Sequence, residues 1–184
     1  MKVIFYKTLL ASNDELSPAE KIVYSFLVSK SVLCLDDIFD TDGKHLNVDD
    51  SLCLDDDDCY IDIFRINNCK LSAILGITRR TIITCYEHLT YYGFIDGDKI
   101  LVNKQMLRGG YFELLIGNKL SCELLIFYSY IKDRANSQNG ILYSNRLKLS
   151  EDYNTSMMAI TKLTCRLCKL NLIKKIGHNK IAVM

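Results

Sequence analysis

The stretch NCKLSAILGITRRTIITCYEHLTYYGF, residues 68–94, contains two helix signals separated by a tight turn. A short helix is predicted over Cys69–Leu75, and Gly76 ends it because a residue without a Cβ accommodates the turn. Thr78 is predicted to cap a longer helix that runs to about Tyr92. The apolar residues of this longer helix recur at helical spacing and share one face: Ile82, Cys85, Tyr86 and Leu89.

Further helix and strand signals flank this stretch. Upstream, Ser17 and Glu20 have the spacing of a capping box in front of an apolar helix. Downstream, Phe94-Ile95 and Lys99–Val102 are predicted strands joined by the turn Asp96-Gly97-Asp98. The order helix, short helix, tight turn, helix and hairpin predicts a winged helix-turn-helix.

The chain then repeats itself. Leu16–Leu27 aligns without gaps onto Leu120–Ile131, and Thr78–Ile95 aligns onto Ser156–Ile173. The two offsets, 104 and 78, differ by nearly the length of an aspartate-rich segment that lies between the aligned parts of the first copy. We therefore expect two copies of one module, of which only the first carries an insertion.

We call residues 1–110 module one, with its insertion at 36–62, and residues 111–184 module two. In module two the same order predicts the following elements: a helix over Ser121–Arg134, a strand over Ile141–Tyr143, a short helix over Ser144–Leu149, a third helix over Thr155–Leu170, and wing strands over Ile173–Ile176 and Lys180–Val183. The expected fold class is mainly α with small β-wings, an α+β protein made of tandem winged helix-turn-helix modules.

Charge is distributed unevenly. The chain has a formal net charge of +1, but the segment from Asp36 to Asp62 holds eleven aspartates, no glutamate and one lysine, so it carries −10 and the other 157 residues carry +11. Binding to phosphate depends on the potential within a Debye length of roughly 8–10 Å, not on the total charge. A near-neutral total therefore does not exclude a nucleic-acid partner.

The aspartate-rich insertion admits three interpretations. It can be a solvated loop, since like charges extend a chain; it can cover a basic surface; or it can bind a cation. Asp40-Thr41-Asp42-Gly43 matches part of a calcium loop, but Ile38 stands where the first ligand belongs, which argues against an EF-hand. Apolar residues interrupt the aspartates, so part of the insertion is expected to pack as strand or short helix.

Helix-turn-helix readout places the first residues of the third helix against base edges and its N-terminus near phosphate. Candidate DNA-binding residues in module one are Thr78, Arg79, Arg80, Thr81, Thr84 and, in the wing, Lys99. Candidates in module two are Asn154, Thr155, Ser156, Lys162 and Arg166 on the third helix, and Lys174, Lys175 and Lys180 in the wing. Arginine can bind guanine or a phosphate bidentately, so Arg79 and Arg80 are the strongest candidates.

Three parts of module one carry a family resemblance: LSPAEKIVY at residues 16–24, LSAILGITRRT at 71–81 and YGFI at 92–95. With them, Phe5–Ile95 resembles the N-terminal winged-helix domain of RepA-type plasmid replication initiators, and is similar to helix-turn-helix proteins of phages and mobile elements. The resemblance implies a bacterial or mobile-element protein that binds duplex DNA at an origin or operator. Asp55–Asp58 departs from the family pattern, and module two matches it only loosely.

Other classes of function are not favoured. The chain has no Gly-rich phosphate loop, no nucleophile elbow, and no stretch of roughly 18 apolar residues that could span a membrane. The Cys165/Cys168 pair has no second pair or histidine at zinc-finger spacing, so neither a metal nor another cofactor is expected. Because no secretory signal is visible, we expect a cytoplasmic protein whose thiols are free. Because no catalytic motif is visible, we expect no enzymatic activity.

An alternative to DNA binding stays open. Module two has an apolar first helix, and Met157 and Met158 stand where base-contacting residues are expected. These features also suit a winged-helix adaptor or a homodimer interface within a replication or transcription complex.

Overall fold

The computed structural model describes residues 3–11, 16–33, 58–103, 106–107, 109–116 and 120–184. This part of the chain contains seven helices and three small antiparallel sheets, a mixed fold compatible with the expected α+β class. Residues 36–57, which make up most of the aspartate-rich insertion and include the calcium-loop fragment, lie outside the described residues.

Apart from the short helix α1 (Thr8–Ala11) of module one, the described parts of both modules contain the same elements in the same order. Module one begins with a strand and a short helix, β1 (Ile4–Tyr6) and α1 (Thr8–Ala11), and continues with α2 (Pro18–Leu33), β2 (Asp58–Asp62), α3 (Asn68–Leu75), α4 (Arg79–Tyr91), β3 (Ile95–Asp96) and β4 (Lys99–Asn103). Module two comprises β5 (Tyr111–Glu113), α5 (Cys122–Arg134), β6 (Ile141–Tyr143), α6 (Arg146–Asp152), α7 (Met157–Lys169), β7 (Ile173–Gly177) and β8 (Lys180–Val183).

The sheets of the two modules also share one strand order. In module one the order is β2-β4-β3, and in module two it is β6-β8-β7, with every pair antiparallel. In each of these two sheets the last strand of the module lies in the middle. On one side it pairs with the strand that precedes it in the hairpin, and on the other with a strand that comes before the two helices of the tight turn. The repeat seen in the sequence is thus a repeat of topology.

The local signals that end and begin the helices recur at the offset of 78. Asn67 caps α3 and Asn145 caps α6. Each side chain accepts the backbone N–H of the residue three positions on, at 2.8 Å. Thr78 caps α4 and Ser156 caps α7 in the same way, and α4 and α7 are called the third helices of the two modules because they match the third helix expected from the sequence. Between these caps, Gly76 and Asn154 both have a positive φ, as do the residues that follow the third helices, Gly93 and Asn171. Asparagine is the residue that best replaces glycine in this left-handed conformation.

The two modules meet through equivalent elements. Strands β1 and β5 pair with each other, with Phe5 opposite Phe112 and their ring centroids 5.2 Å apart. Ser25 of α2 fixes β1, because its Oγ donates to the Ile4 carbonyl at 3.0 Å and accepts from the Tyr6 N–H at 3.1 Å. Ser129 of α5, at the position equivalent to Ser25, accepts from the N–H of Leu115 just after β5 at 3.0 Å.

Buried side chains form one cluster that spans both modules. Within this cluster α2 packs against α5, and every residue of α5 from Leu124 to Ile131 is buried. The apolar first helix of module two is therefore covered within the chain by α2, β5 and α7. Its apolar surface is used in the core and no longer supports a homodimer interface.

Several sequence-based boundaries need correction. The short helix predicted at Ser144–Leu149 is Arg146–Asp152, because Asn145 and not Ser144 caps it, and the helix predicted from Thr155 begins at Met157, because Ser156 supplies the cap. Strands β1 and β5 were not predicted from the sequence, since they pair only with each other across more than 100 residues of the chain. The expectation that part of the insertion packs as strand is confirmed at Asp58–Asp62.

Candidate nucleic-acid interface

The first turn of α4 presents two arginines. The Oγ1 of Thr78 accepts the N–H of Thr81 at 3.2 Å and shares a 2.8 Å hydrogen bond with the Thr81 hydroxyl, which fixes the start of the helix. Arg79 and Arg80 follow this cap and are exposed, and neither has an ion-pair partner within the described part of the chain. The opposite face is anchored by buried side chains: Ile82, Cys85 and Leu89.

A shallow groove of about 490 Å³ lies along this exposed face of α4. Arg79 and Arg80 line it together with Thr84 one turn on, and Ile83 and Glu87 complete it. Thr84 thus joins the arginines as predicted from the sequence, whereas Thr81 is half-buried and its hydroxyl and N–H are engaged by the cap. The two guanidinium groups dominate the charge of this surface.

The β3–β4 hairpin of module one is not basic. Lys99 opens β4 and lies opposite Asp62 on one neighbouring strand and Asp96 on the other. Opposite charges at directly facing positions attract, so these carboxylates offset the charge of Lys99. Asp98 in the turn is paired with Arg65 at 2.7 Å. The charge that module one can offer to phosphate therefore lies on α4 and not on its hairpin.

Module two has the reverse distribution. Residues 173–183, which form its hairpin and turn, contain Lys174, Lys175 and Lys180 and no carboxylate. The Nζ of Lys180 lies 5.6 Å from the ring centre of Tyr143 on the adjacent strand, a cation–π contact that orients the ammonium group. Lys174 and Lys175 are neighbours on β7 and so lie on opposite faces of the sheet.

A groove of about 700 Å³ lies between α6, α7 and the β7–β8 hairpin, and we call it the module two groove. Lys175 and Lys180 line it from the hairpin, Arg146 from the first turn of α6, and Met157 and Met158 from the first turn of α7. Arg146 was not among the residues predicted from the sequence. Its position after a helix cap is visible in the sequence, but its proximity to the wing depends on the tertiary fold.

Some predicted DNA-binding residues lie elsewhere. Lys162 and Arg166 line a separate hollow of about 380 Å³ beside Glu123 of α5, and not the module two groove. The Ser156 side chain accepts the Ala159 N–H as the cap of α7, and the half-buried Thr155 donates its backbone N–H to the Ser150 carbonyl. Asn154 holds the turn before α7 with a φ of 44°.

Glu20 links the first helix of module one to α4. It is buried, and its carboxylate accepts the Ser17 N–H at 2.6 Å, as the capping box predicts, and the Nδ1 proton of His88 at 2.7 Å. Burial raises the pKa of Glu20, but the hydrogen bonds from Ser17 and the contact with His88 outweigh it and hold the pKa below its ordinary value. His88 therefore positions α4 on α2.

No helix in the described ranges is both long and apolar enough to cross a membrane. Within the same ranges, no three histidine, cysteine, aspartate or glutamate side chains are grouped so that they could hold a metal ion. Comparison of the chain with protein-family models, with curated proteins and with solved structures finds no match. The resemblance to plasmid replication initiators thus stays a prediction, and the function has to be inferred from the geometry of the chain.

Proposed function

We propose that this chain is a double-stranded DNA-binding protein with two winged helix-turn-helix modules, acting in replication initiation or transcriptional regulation of the plasmid or phage type. The observation that carries the proposal is the exposed first turn of α4. Arg79 and Arg80 follow the helix cap there, and neither has an ion-pair partner among the described residues. In winged helix-turn-helix proteins the N-terminal end of this helix enters the major groove.

The repeated topology supports the same proposal. Each module has a helix, a strand, two helices joined by a tight turn, and a hairpin that completes a three-stranded sheet. This is the element order of a winged helix, in which the third helix and the hairpin contact DNA. The third helices α4 and α7 each bury one face and expose the other, as a DNA-contacting helix must.

The charges of the two modules complement each other. Module one presents its exposed arginines on the third helix, and module two presents its positive charge on the hairpin, at Lys174, Lys175 and Lys180. Each cation that neutralises a phosphate releases counterions, so the logarithm of the affinity falls with the logarithm of salt concentration by about 0.9 per phosphate neutralised. Binding should therefore weaken steeply with salt.

One observation favours a second candidate, a protein–protein adaptor. Leu147, Met157 and Met158 are large apolar side chains that are more than half exposed on module two. Exposed apolar residues grouped in this way mark binding surfaces in general and not only DNA-binding ones. The first helix α5 gives the adaptor no support, because it is buried against α2.

Fluorescence anisotropy with a pool of random 30-bp duplexes at two salt concentrations tests the proposal. We expect binding at low salt and a steep loss at high salt. If Arg79 and Arg80 read bases, Arg79→Ala/Arg80→Ala should cost about 1–3 kcal/mol for each base that the variant no longer binds, with little change in salt slope. If both side chains hold phosphates, the double variant should instead reduce the salt slope by about 2.

Lys30→Ala/Lys132→Ala is the matched control, since it removes two positive charges from the last turns of α2 and α5, outside both third helices and both hairpins. It should retain most of the affinity. Absence of binding to any pooled duplex at low salt would refute the proposal and favour the adaptor. Equal losses in the two double variants would show that only total charge matters.

A further inference from the structure

The third helices of the two modules carry different side chains at equivalent positions. The offset of 78 that relates the caps and turns pairs Arg79 with Met157 and Arg80 with Met158. In each helix these are the two residues directly after the capping hydroxyl. The backbone setting is therefore the same, and the chemistry changes from two guanidinium groups to two thioethers.

The methionines lie in the open. Met157 is 54% exposed and Met158 is 68% exposed, and both line the module two groove beside Leu147. The helix does not need them for its own packing, because its core face is made by other residues: Ile160, Leu163 and Leu167. Apolar side chains grouped at this exposure are unfavourably hydrated, so a ligand that covers them gains affinity.

Positive charge surrounds this apolar surface. Arg146, Lys175 and Lys180 line the module two groove, and no described carboxylate does. A ligand that complements this groove carries several negative charges for the cations and exposes apolar groups between them for the methionines. Duplex DNA does so at T·A pairs, where phosphates flank the major groove and the C5-methyl group of thymine projects into it.

We infer that module two recognises thymine-rich duplex DNA through Met157 and Met158, at the positions where module one carries Arg79 and Arg80. The inference rests on the proposed function. A thioether sulfur is only a weak acceptor and cannot donate to guanine O6 and N7 as a guanidinium does, but it packs well against a methyl group. The two modules then favour different parts of the target, and the part that module two contacts is rich in thymine.

Selection from a random duplex library with the full chain provides the probe. The enriched duplex is synthesised again with deoxyuridine in place of thymidine, which removes each C5-methyl group and keeps every hydrogen-bonding group. We expect the uracil duplex to bind about fourfold more weakly for each methyl group that the protein fully buries, the factor for one buried methylene. Met157→Ala/Met158→Ala should bind the two duplexes equally.

Leu170→Ala is the matched control. Leu170 is 52% exposed at the other end of the same helix, and the variant should still distinguish thymine from uracil. Equal binding of both duplexes by the wild type would overturn this inference and leave the proposed function standing, as would an undiminished preference for thymine in the double variant. Failure to bind any duplex at low salt would overturn the proposed function and this inference together.

Discussion

Replacing Glu20 with alanine should destabilise the protein by about 2–3 kcal/mol. The carboxylate is buried and accepts two short hydrogen bonds, from the Ser17 N–H at 2.6 Å and from His88 Nδ1 at 2.7 Å. Hydrogen bonds to a charged group contribute about 1.5–3 kcal/mol each. The His88 side chain is 53% exposed, so solvent screens its share, and most of the destabilisation comes from the cap of α2.

Thermal denaturation followed by circular dichroism measures this destabilisation. For a chain of this size the expected fall in Tm is about 5–10 °C. Glu87→Ala is the control, because Glu87 is an exposed glutamate on α4, and it should change stability by less than about 0.5 kcal/mol. Equal falls in Tm for the two variants would refute the stabilising role of the Glu20 carboxylate.

The pH dependence of Glu20→Gln gives a second measurement of the same link. The pKa of Glu20 is lowered from an ordinary value of 4.5, so its charge stabilises the fold above that pH, and the stabilisation is lost as the pH falls through the lower folded value. The stability difference between the wild type and Glu20→Gln should therefore be constant near neutral pH and shrink below about pH 4.5. A difference that grows on acidification would contradict the lowered pKa.

Two further predictions concern the turns and the junction between modules. Gly93→Ala should cost about 1 kcal/mol through its positive φ alone, since a Cβ there meets no atom within 4 Å, whereas Gly93→Asn should cost less because Asn171 adopts the same conformation in module two. Thermal denaturation of both variants tests this, and equal costs would contradict it. Phe112→Ala should cost about 3–5 kcal/mol, and Tyr91→Ala, whose side chain is 83% exposed, under about 1 kcal/mol. Urea denaturation should remain a single transition, because one core spans both modules, and two separate transitions would contradict a shared core.

The part of the candidate site that lies on a single helix could be predicted from the sequence. The start of α4 is set by the cap of Thr78, a bond between residues three positions apart, so Arg79 and Arg80 could be placed in its first turn from the sequence. The separation of Lys162 and Arg166 from the lysines of the β7–β8 hairpin could not be predicted from the sequence. It depends on how α7 is rotated against α5 and the hairpin.

Local sequence is sufficient to predict that most of the helices exist, to within two or three residues of their ends, and to predict the tight turns at Gly76 and Gly93, because these depend on interactions within a few residues. The repeat is visible from comparing the sequence with itself. Tertiary packing, in contrast, sets which strands pair and which apolar faces are covered. Asp58–Asp62 pairs with residues about 40 positions away, and α5 is buried by α2 from the other module. Such pairings are set by the burial of apolar surface that many distant residues share, and no local pattern contains that information.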